Sequence, residues 1–262
     1  MRLATWNINS IRARLDRAIA FLERENIDVL ALQETKCKDA QFPFEAFEAA
    51  GYQVAHFGIN QWNGVAIVSR VGLDDIEVGF PNQPQFGETP VTEARALGAT
   101  CGGVRVWSLY VPNGREVDHP HYAYKLEWLA ALKDNAREWV AANPDAPIAL
   151  VGDWNVAPFD SDVWDIEFFD GKTHITEPER AAFFAFEEAG FTEVSRTFFP
   201  EEGKYTYWDY QQLRFPKNQG MRIDFTYCSP ALTRAVQSVH IDRNERKGKG
   251  ASDHVPVILD IS

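Results

Sequence analysis

The sequence predicts a layered α/β protein with mixed or antiparallel sheets rather than a doubly wound parallel fold, and three observations carry that reading. Strand-like apolar runs alternate with amphipathic helices in residues 3–32 but follow one another directly in residues 94–110. Several of these runs end abruptly in an acid, an amide, a tyrosine or a histidine. No Gly-x-Gly-x-x-Gly follows the first strand and no Walker-type Gly-Lys-Ser/Thr loop occurs, so the sequence gives no support for nucleotide-cofactor binding by either route.

In order, residues 3–8 read as a strand ending at Asn7, Asn9 and Ser10. A helix over Ile11 to Arg24 follows, with Leu15, Ala18, Ile19 and Leu22 at helical spacing. Asp28 to Leu32 is the next strand and runs into Gln33-Glu34-Thr35-Lys36. A helix near Phe42 to Ala50 stops at Gly51, and Tyr52 to Phe57 resumes a strand. Gly64 to Ser69 and Gly72 to Val78 are expected to pair as a hairpin. The prolines, glycines and amides of Phe80 to Pro90 mark a surface loop. Strands near Ala94 to Thr100 and Val104 to Tyr110 follow, the second ending before Pro112, Asn113, Gly114 and Arg115. Tyr122 to Ala141 is the longest helix, with an apolar stripe of Leu126, Leu129, Leu132, Ala136 and Val140.

Ile148 to Val151 is a buried strand that delivers Gly152-Asp153-Trp154-Asn155 to a loop, an acid and an amide at a strand end where α/β folds place ligands. An acidic loop from Asp160 to Asp170 leads to a helix over Glu177 to Glu188, with Pro178 in its first turn, where the missing N–H costs little. Then come the aromatic run Tyr205 to Tyr210, a polar loop through Arg214, Lys217 and Asn218, and the apolar stretch Ile223 to Tyr227 interrupted by Asp224. Val236 to Asp242, a basic loop from Arg243 to Lys249, and Ser252-Asp253-His254 before Val255 to Ile261 complete the pass. No linker or repeat divides the chain, which reads as a single domain over residues 1–262.

Composition bounds the partners. With 26 Lys plus Arg against 38 Asp plus Glu, the net charge is −12, so a polyanion must be met by local basic patches or by metal ions. Three scattered cysteines, Cys37, Cys101 and Cys228, argue against a zinc site or a disulfide framework. No signal-peptide segment opens the sequence and no stretch approaches ~20 apolar residues, so a soluble cytoplasmic protein with no membrane partner is expected.

Glu34, Asp153, Asp224 and Asp253 lie in stretches suited to strands or strand ends, where a lone acid is poorly solvated unless paired or metal-bound. Each taken alone reads equally as a loop cap. With Asn7, Asn155, Tyr110 and His254 at similar edges, the set points to a hard-cation site for Mg²⁺, or Mn²⁺ as substitute, and to phosphodiester hydrolysis. Asp253 and His254 are adjacent and would point to opposite faces of a strand, so a distant carboxylate such as Asp224 is the better partner for the imidazole.

Trp6-Asn7-Ile8-Asn9, Leu32-Gln33-Glu34-Thr35-Lys36, Tyr110-Val111-Pro112-Asn113, Gly152-Asp153-Trp154-Asn155, Met221-Arg222-Ile223-Asp224 and Ser252-Asp253-His254-Val255-Pro256-Val257 occur together in this order. The set resembles the exonuclease III family of DNA-repair nucleases, within the endonuclease/exonuclease/phosphatase superfamily. The resemblance implies a four-layer α/β sandwich of the DNase I-like type, two central mixed sheets flanked by helices. It implies Glu34 as the principal Mg²⁺ ligand assisted by Asn7, with Asp253 able to help hold metal. It also implies Asp153 activating or orienting the attacking water, itself near the metal, and Asn155 positioning that water and steadying the transition state. By the same resemblance Asp224 orients His254, His254 contacts the scissile phosphate, and Tyr110 stands near the leaving group.

The implied partner is duplex DNA with abasic sites or 3′ ends, cut by a monomer, with 3′-phosphatase or other 3′-repair activity as an accompaniment. Asn113, Arg115, Tyr207, Trp208, Met221 and Arg222 are the DNA-binding candidates, and the basic loop Arg243 to Lys249 is a further source of phosphate contacts. Tyr207 stands where relatives carry Trp or Phe, and Met221 where they place Leu or Trp, which leaves the balance of abasic-site cleavage and exonuclease action open. The rival readings are a superfamily phosphoesterase for RNA or small phosphate esters, and a catalytically silent DNA-binding relative.

Overall fold

The computed structural model describes residues 1–262. The strands are β1 (Arg2–Asn7), β2 (Val29–Gln33), β3 (Gln53–Phe57), β4 (Val65–Ser69), β5 (Asp74–Val78), β6 (Ala96–Cys101), β7 (Val104–Tyr110), β8 (Ile148–Asp153), β9 (Thr192–Glu193), β10 (Asp224–Cys228), β11 (Val236–Ile241) and β12 (Val257–Ile261). The helices are α1 (Ile11–Arg24), α2 (Phe44–Ala49), α3 (Pro120–Ala142), α4 (Glu177–Glu188), α5 (Ser195–Phe198) and α6 (Pro230–Thr233).

Two six-stranded mixed sheets face each other, ordered β11-β12-β1-β2-β4-β3 and β5-β6-β7-β8-β10-β9. Each has one parallel pair at its centre, β1 with β2 and β7 with β8, and antiparallel pairs elsewhere. A helix makes each parallel crossover, as the geometry of parallel strands requires: α1 in the first sheet, α3 in the second. Alternation along the strands sorts the core. Leu3, Val29, Ala31, Val65 and Ile67 meet Leu97, Ala99, Val106, Ala149 and Val151 between the sheets. On the outer faces, Ala4, Trp6, Leu30 and Leu32 pack on α1 and α2. Trp107, Leu150, Phe225 and Tyr227 pack on α3 and α4. The four layers of the expected sandwich are therefore present.

A buried polar link pins the two sheets together. The Gln33 amide donates to Thr5 Oγ1 and to Ser108 Oγ, both at 3.0 Å, and the Ser108 hydroxyl donates to the Leu32 carbonyl at 2.8 Å. Local signals fix the helices as the sequence predicts. Thr176 and Glu179 form a capping box at the start of α4, and α1 spans the residues its periodicity marks.

One expected element is wrong. Residues 64–69 and 72–78 do not form a hairpin: β4 pairs with β2 and β3 in the first sheet, while β5 pairs with β6 in the second. The turn through Gly72, at φ +98°, carries the chain from one sheet to the other instead of folding it back.

Candidate active site

The central strands of both sheets run their carboxyl ends to one edge, the place where open α/β sheets hold ligands. From the first sheet β1 delivers Asn7, and β2 leads into Glu34. From the second β7 delivers Tyr110 and β8 delivers Asp153, while antiparallel β10 begins there, so that Asp224 lies opposite Asp153 in the ladder. His254 arrives on the segment before β12, and its carbonyl accepts the Trp6 indole N–H at 3.1 Å. Strands β7 and β8 approach closely because residue 152 is glycine: a Cβ there would run into the Leu109 carbonyl.

Backbone strain gathers at this edge. Asn9, Ser10, Glu34, Lys36 and Asn155 all have positive φ without being glycine, a cost that folded proteins usually accept where a side chain must be aimed.

The side chains form one connected network. Asn7 Nδ2 donates to Glu34 Oε1 at 2.9 Å and to Asp153 Oδ2 at 3.0 Å, so one amide spans two carboxylates from different sheets. His254 Nδ1 donates to Asp224 Oδ2 at 2.8 Å, and its Nε2 lies 3.6 Å from Asp153 Oδ2. The Asn155 N–H donates to Asp153 Oδ1 at 3.0 Å.

Burial raises the Asp153 carboxyl well above its ordinary range, helped by the nearby charges of Asp224 and Glu34 and opposed by His254. Burial alone would lower His254, but Asp224 and Asp153 outweigh it and hold the imidazole protonated at neutral pH. Glu34 is half-buried, which by itself would raise its carboxyl, yet the Lys36 ammonium at 3.2 Å and the Asn7 amide keep it below the usual range. Burial and the Glu34 charge push the Tyr110 hydroxyl well above its ordinary value, so it is a proton donor, and Arg95 lies 4.8 Å over its ring.

Ligand atoms of Glu34, Asp153 and His254 lie within 4.8 Å of one another and could hold a metal ion. His254 is already committed to Asp224 as an imidazolium, which leaves the hard carboxylate oxygens of Glu34 and Asp153. That donor set fits a divalent cation such as Mg²⁺ or Mn²⁺ rather than a thiol-seeking metal.

Asp253 is half-buried and stands outside this cluster; its Oδ1 accepts from Asn9 Nδ2 at 3.1 Å. Asn113 and Asn155 meet, Nδ2 to Oδ1, at 3.3 Å. Arg115 is exposed with Asn113, Lys172, His174 and Met221 on the wall of a cavity of about 720 Å³ beside the site. Tyr207 is half-buried, with its ring centroid 5.0 Å from that of His254.

Two DNA-binding candidates are corrected. Trp208 is fully buried against Tyr205, Phe215 and Val255, and its indole N–H is taken by Asn218 Oδ1 at 3.2 Å. Arg222 is 1% exposed, with its guanidinium donating to Ser195 Oγ at 2.8 Å and to the Phe199 carbonyl at 3.0 Å. Neither presents itself to a duplex; both hold the loop under Tyr207 and Met221.

Sequence reasoning missed a second layer behind Asn155. Lys125 is fully buried, its ammonium donating to the carbonyls of Asn155 at 2.5 Å and Asn113 at 3.1 Å and pairing with Glu179 at 2.6 Å. Its four-residue spacing from Leu129 on the α3 stripe was the one available signal. His174 Nε2 lies 3.1 Å from Asn155 Oδ1, and burial together with the Lys125 ammonium pushes its pKa down to about 3.

Residues 4–254 match the model of the Endonuclease/Exonuclease/phosphatase family. The chain is 29% identical to exodeoxyribonuclease III of Haemophilus influenzae over 98% of both chains. Among solved structures it is similar to a 3′ phosphatase of Neisseria bound to a product DNA hairpin, with a TM-score of 0.94 and 35% identity over 100% of this chain and 99% of that one. An AP endonuclease from Archaeoglobus fulgidus gives a TM-score of 0.92 and 32% identity over the same shares. With this fold and the carboxylate–imidazole edge spanning two sheets, the chain belongs to the endonuclease/exonuclease/phosphatase family.

Proposed function

We propose that the protein is a Mg²⁺-dependent DNA-repair phosphodiesterase, acting as one catalytic domain and as a monomer in the cytoplasm. It incises the backbone 5′ to abasic sites, removes nucleotides from duplex 3′ ends and clears 3′ phosphates. The observation that carries this reading is the Asp224–His254–Asp153 chain joined to Glu34 through the Asn7 amide. Relatives named for exonuclease, AP-endonuclease and 3′-phosphatase activity support the substrate class. No helix is long and apolar enough to cross a membrane.

In the proposed reaction Asp153, its carboxyl raised by burial, orients the attacking water and takes up its proton. The His254 imidazolium, held by Asp224, donates to a non-bridging phosphate oxygen as negative charge builds there. Asn155 steadies Asp153 through its backbone N–H, and the Tyr110 hydroxyl donates towards the leaving oxygen. Glu34 and Asp153 would hold the metal, assisted by Asn7 and with Asp253 at the rim, and when bound it neutralises charge on the phosphoryl group. Asn113, Arg115, Tyr207 and Met221 line the approach for the damaged strand.

The test is incision of a duplex carrying one abasic analogue, in Mg²⁺ and then in EDTA, beside an undamaged recessed 3′ end and a 3′-phosphorylated end. Metal-dependent cleavage of these substrates is expected. Cleavage confined to RNA or small phosphate esters, or DNA binding without cleavage in Mg²⁺, would overturn the proposal.

A further inference from the structure

The residue next to Glu34 faces the opposite way from it. Glu34 turns its carboxylate into the site, to Asn7 Nδ2 at 2.9 Å, while the fully buried Thr35 turns its hydroxyl back to His56 Nε2 on β3 at 2.8 Å. The His56 side chain is fully buried, with its ring centroid 4.4 Å from that of Phe42, and its Nδ1 lies 2.8 Å from Asp39 Oδ1. Asp39 is fixed in turn: the same oxygen accepts the Gly58 N–H at 2.8 Å, and the Asp39 N–H donates to the Gly58 carbonyl at 3.2 Å. A carboxylate offers only lone pairs, so the imidazole hydrogen belongs on Nδ1, and burial keeps the ring neutral by lowering its pKa. Nε2 is then an acceptor, and the Thr35 hydroxyl donates to it. Carboxylate, imidazole and hydroxyl in series have the composition of an activated nucleophile, but Thr35 has no exposed surface from which to attack.

What the hydroxyl holds is a strained loop. Glu34 and Lys36, on either side of Thr35, have φ of +50° and +54°, conformations that cost an L-residue energy. The side chains of both are tied at the site: Lys36 Nζ lies 3.2 Å from Glu34 Oε2 and donates to Asn9 Oδ1 at 2.6 Å. Thr35 supplies the tie on the other side, and glycine keeps room for it, since a Cβ on Gly64 would run into Thr35 Oγ1. Relaxing the Glu34 φ would swing its Cα–Cβ bond, and with it the carboxylate that has to meet the cation.

We infer that His56, held by Asp39, is a positioning residue for the metal: it anchors Thr35 from behind and so fixes the direction of the Glu34 carboxylate. This rests on the reading of the site as a divalent-cation hydrolase with Glu34 as ligand.

The experiment compares three variants with the parent. Thr35→Val removes the hydroxyl at nearly constant shape, Thr35→Ser keeps it, and Thr35→Val with His56→Leu removes both polar partners so that neither is left unpaired. Mn²⁺ uptake by each protein without DNA is followed through loss of the free-ion electron paramagnetic resonance signal, beside a thermal melt in EDTA. Thr35→Val should weaken Mn²⁺ binding roughly 10- to 100-fold, the range for losing a group that orients a metal ligand. Serine should recover most of that loss. The double variant should melt at least as high as Thr35→Val yet bind Mn²⁺ no better, because an apolar pair restores stability without restoring the aim of Glu34. Parental Mn²⁺ affinity in Thr35→Val, serine no better than valine, or parental affinity in the double variant overturns the inference. The abasic duplex keeps the two readings apart. If Mn²⁺ binding follows the expected pattern while the parent cuts no DNA, the proposed function fails and the His56 anchor stands; a parent that takes up no Mn²⁺ overturns both.

Discussion

At the scale of single residues, the site runs on charges kept out of water. Asp153 is 1% exposed and its carboxyl is raised by burial, so its ionised form is unfavourable for folding and useful for taking a proton. Asp153→Asn should lower turnover roughly 10³-fold, the range of a lost general base, while the melting temperature does not fall; single-turnover cleavage and a thermal melt check both. The residue types and the order of this centre were legible in the sequence, because an acid or amide at the end of an apolar run is conspicuous. The burial of Arg222 and Trp208 was not. Arginine is seldom buried, and the partners that hold Arg222 inside, Ser195 and the Phe199 carbonyl, lie more than twenty positions away. His174 was missed for a related reason: nothing in a sequence marks a histidine at positive φ, and the amide it meets stands on another loop.

At the scale of elements, α1 and α4 were read to the residue, α1 from its periodicity alone and α4 with a capping box at its start. The pairing of β4 with β5 was misread because a glycine turn looks the same whether the chain folds back or crosses between sheets. Strand β9, two residues long, has no period to detect. The junction of α3 with α4 holds an energetic feature of its own. Lys125 and Glu179 are both fully buried, 2.6 Å apart, and they tie α3 and α4 to the Asn113 and Asn155 loops. Lys125→Met should destabilise the fold by about 3–5 kcal/mol, because it strands a buried carboxylate. The double variant Lys125→Met with Glu179→Leu should regain at least about 2 kcal/mol of that loss, measured by urea unfolding.

At the scale of the whole molecule, acid is the predicted weakness. His121 is pushed down to about 4 by burial and by the Arg95 and Arg115 charges, and His174 to about 3. A histidine with a depressed folded pKa leaves stability intact above its unfolded value near 6.5. It draws stability away as the pH falls below that value towards the folded pKa, because only the unfolded chain then takes up the proton. The two histidines together should remove up to about 4 kcal/mol between pH 7 and pH 5. Asp153 and His254, whose folded pKa values are raised to about 7 and about 10, add stability over the same range, so urea titrations at the two pH values should show a net fall well below about 4 kcal/mol in the parent.

The net charge of −12 also conceals an uneven distribution. Arg214, Arg243 and Arg246 lie over aromatic rings, and exposed Lys217 and Lys247 share the same pair of loops. Tyr210, whose hydroxyl is within 3.0 Å of Arg14 and 3.4 Å of Asn9, connects this face to the site edge. Lys217→Ala with Lys247→Ala should weaken duplex binding and flatten the dependence of log K on log salt by roughly 1 per lysine, read by titration at several salt concentrations.

The division of the reaction centre between two sheets has a consequence for how the protein comes into being. Asn7 and Glu34 are made early and Asp153 later, but the imidazole at residue 254 and the strand that pairs with β1 come last along the chain. A polypeptide still being synthesised carries Asn7, Glu34 and Asp153 yet lacks the His254 imidazole and β12, the strand that flanks β1 on the side away from β2. The network that joins the two sheet edges is thus closed only once the segment before β12 is in place.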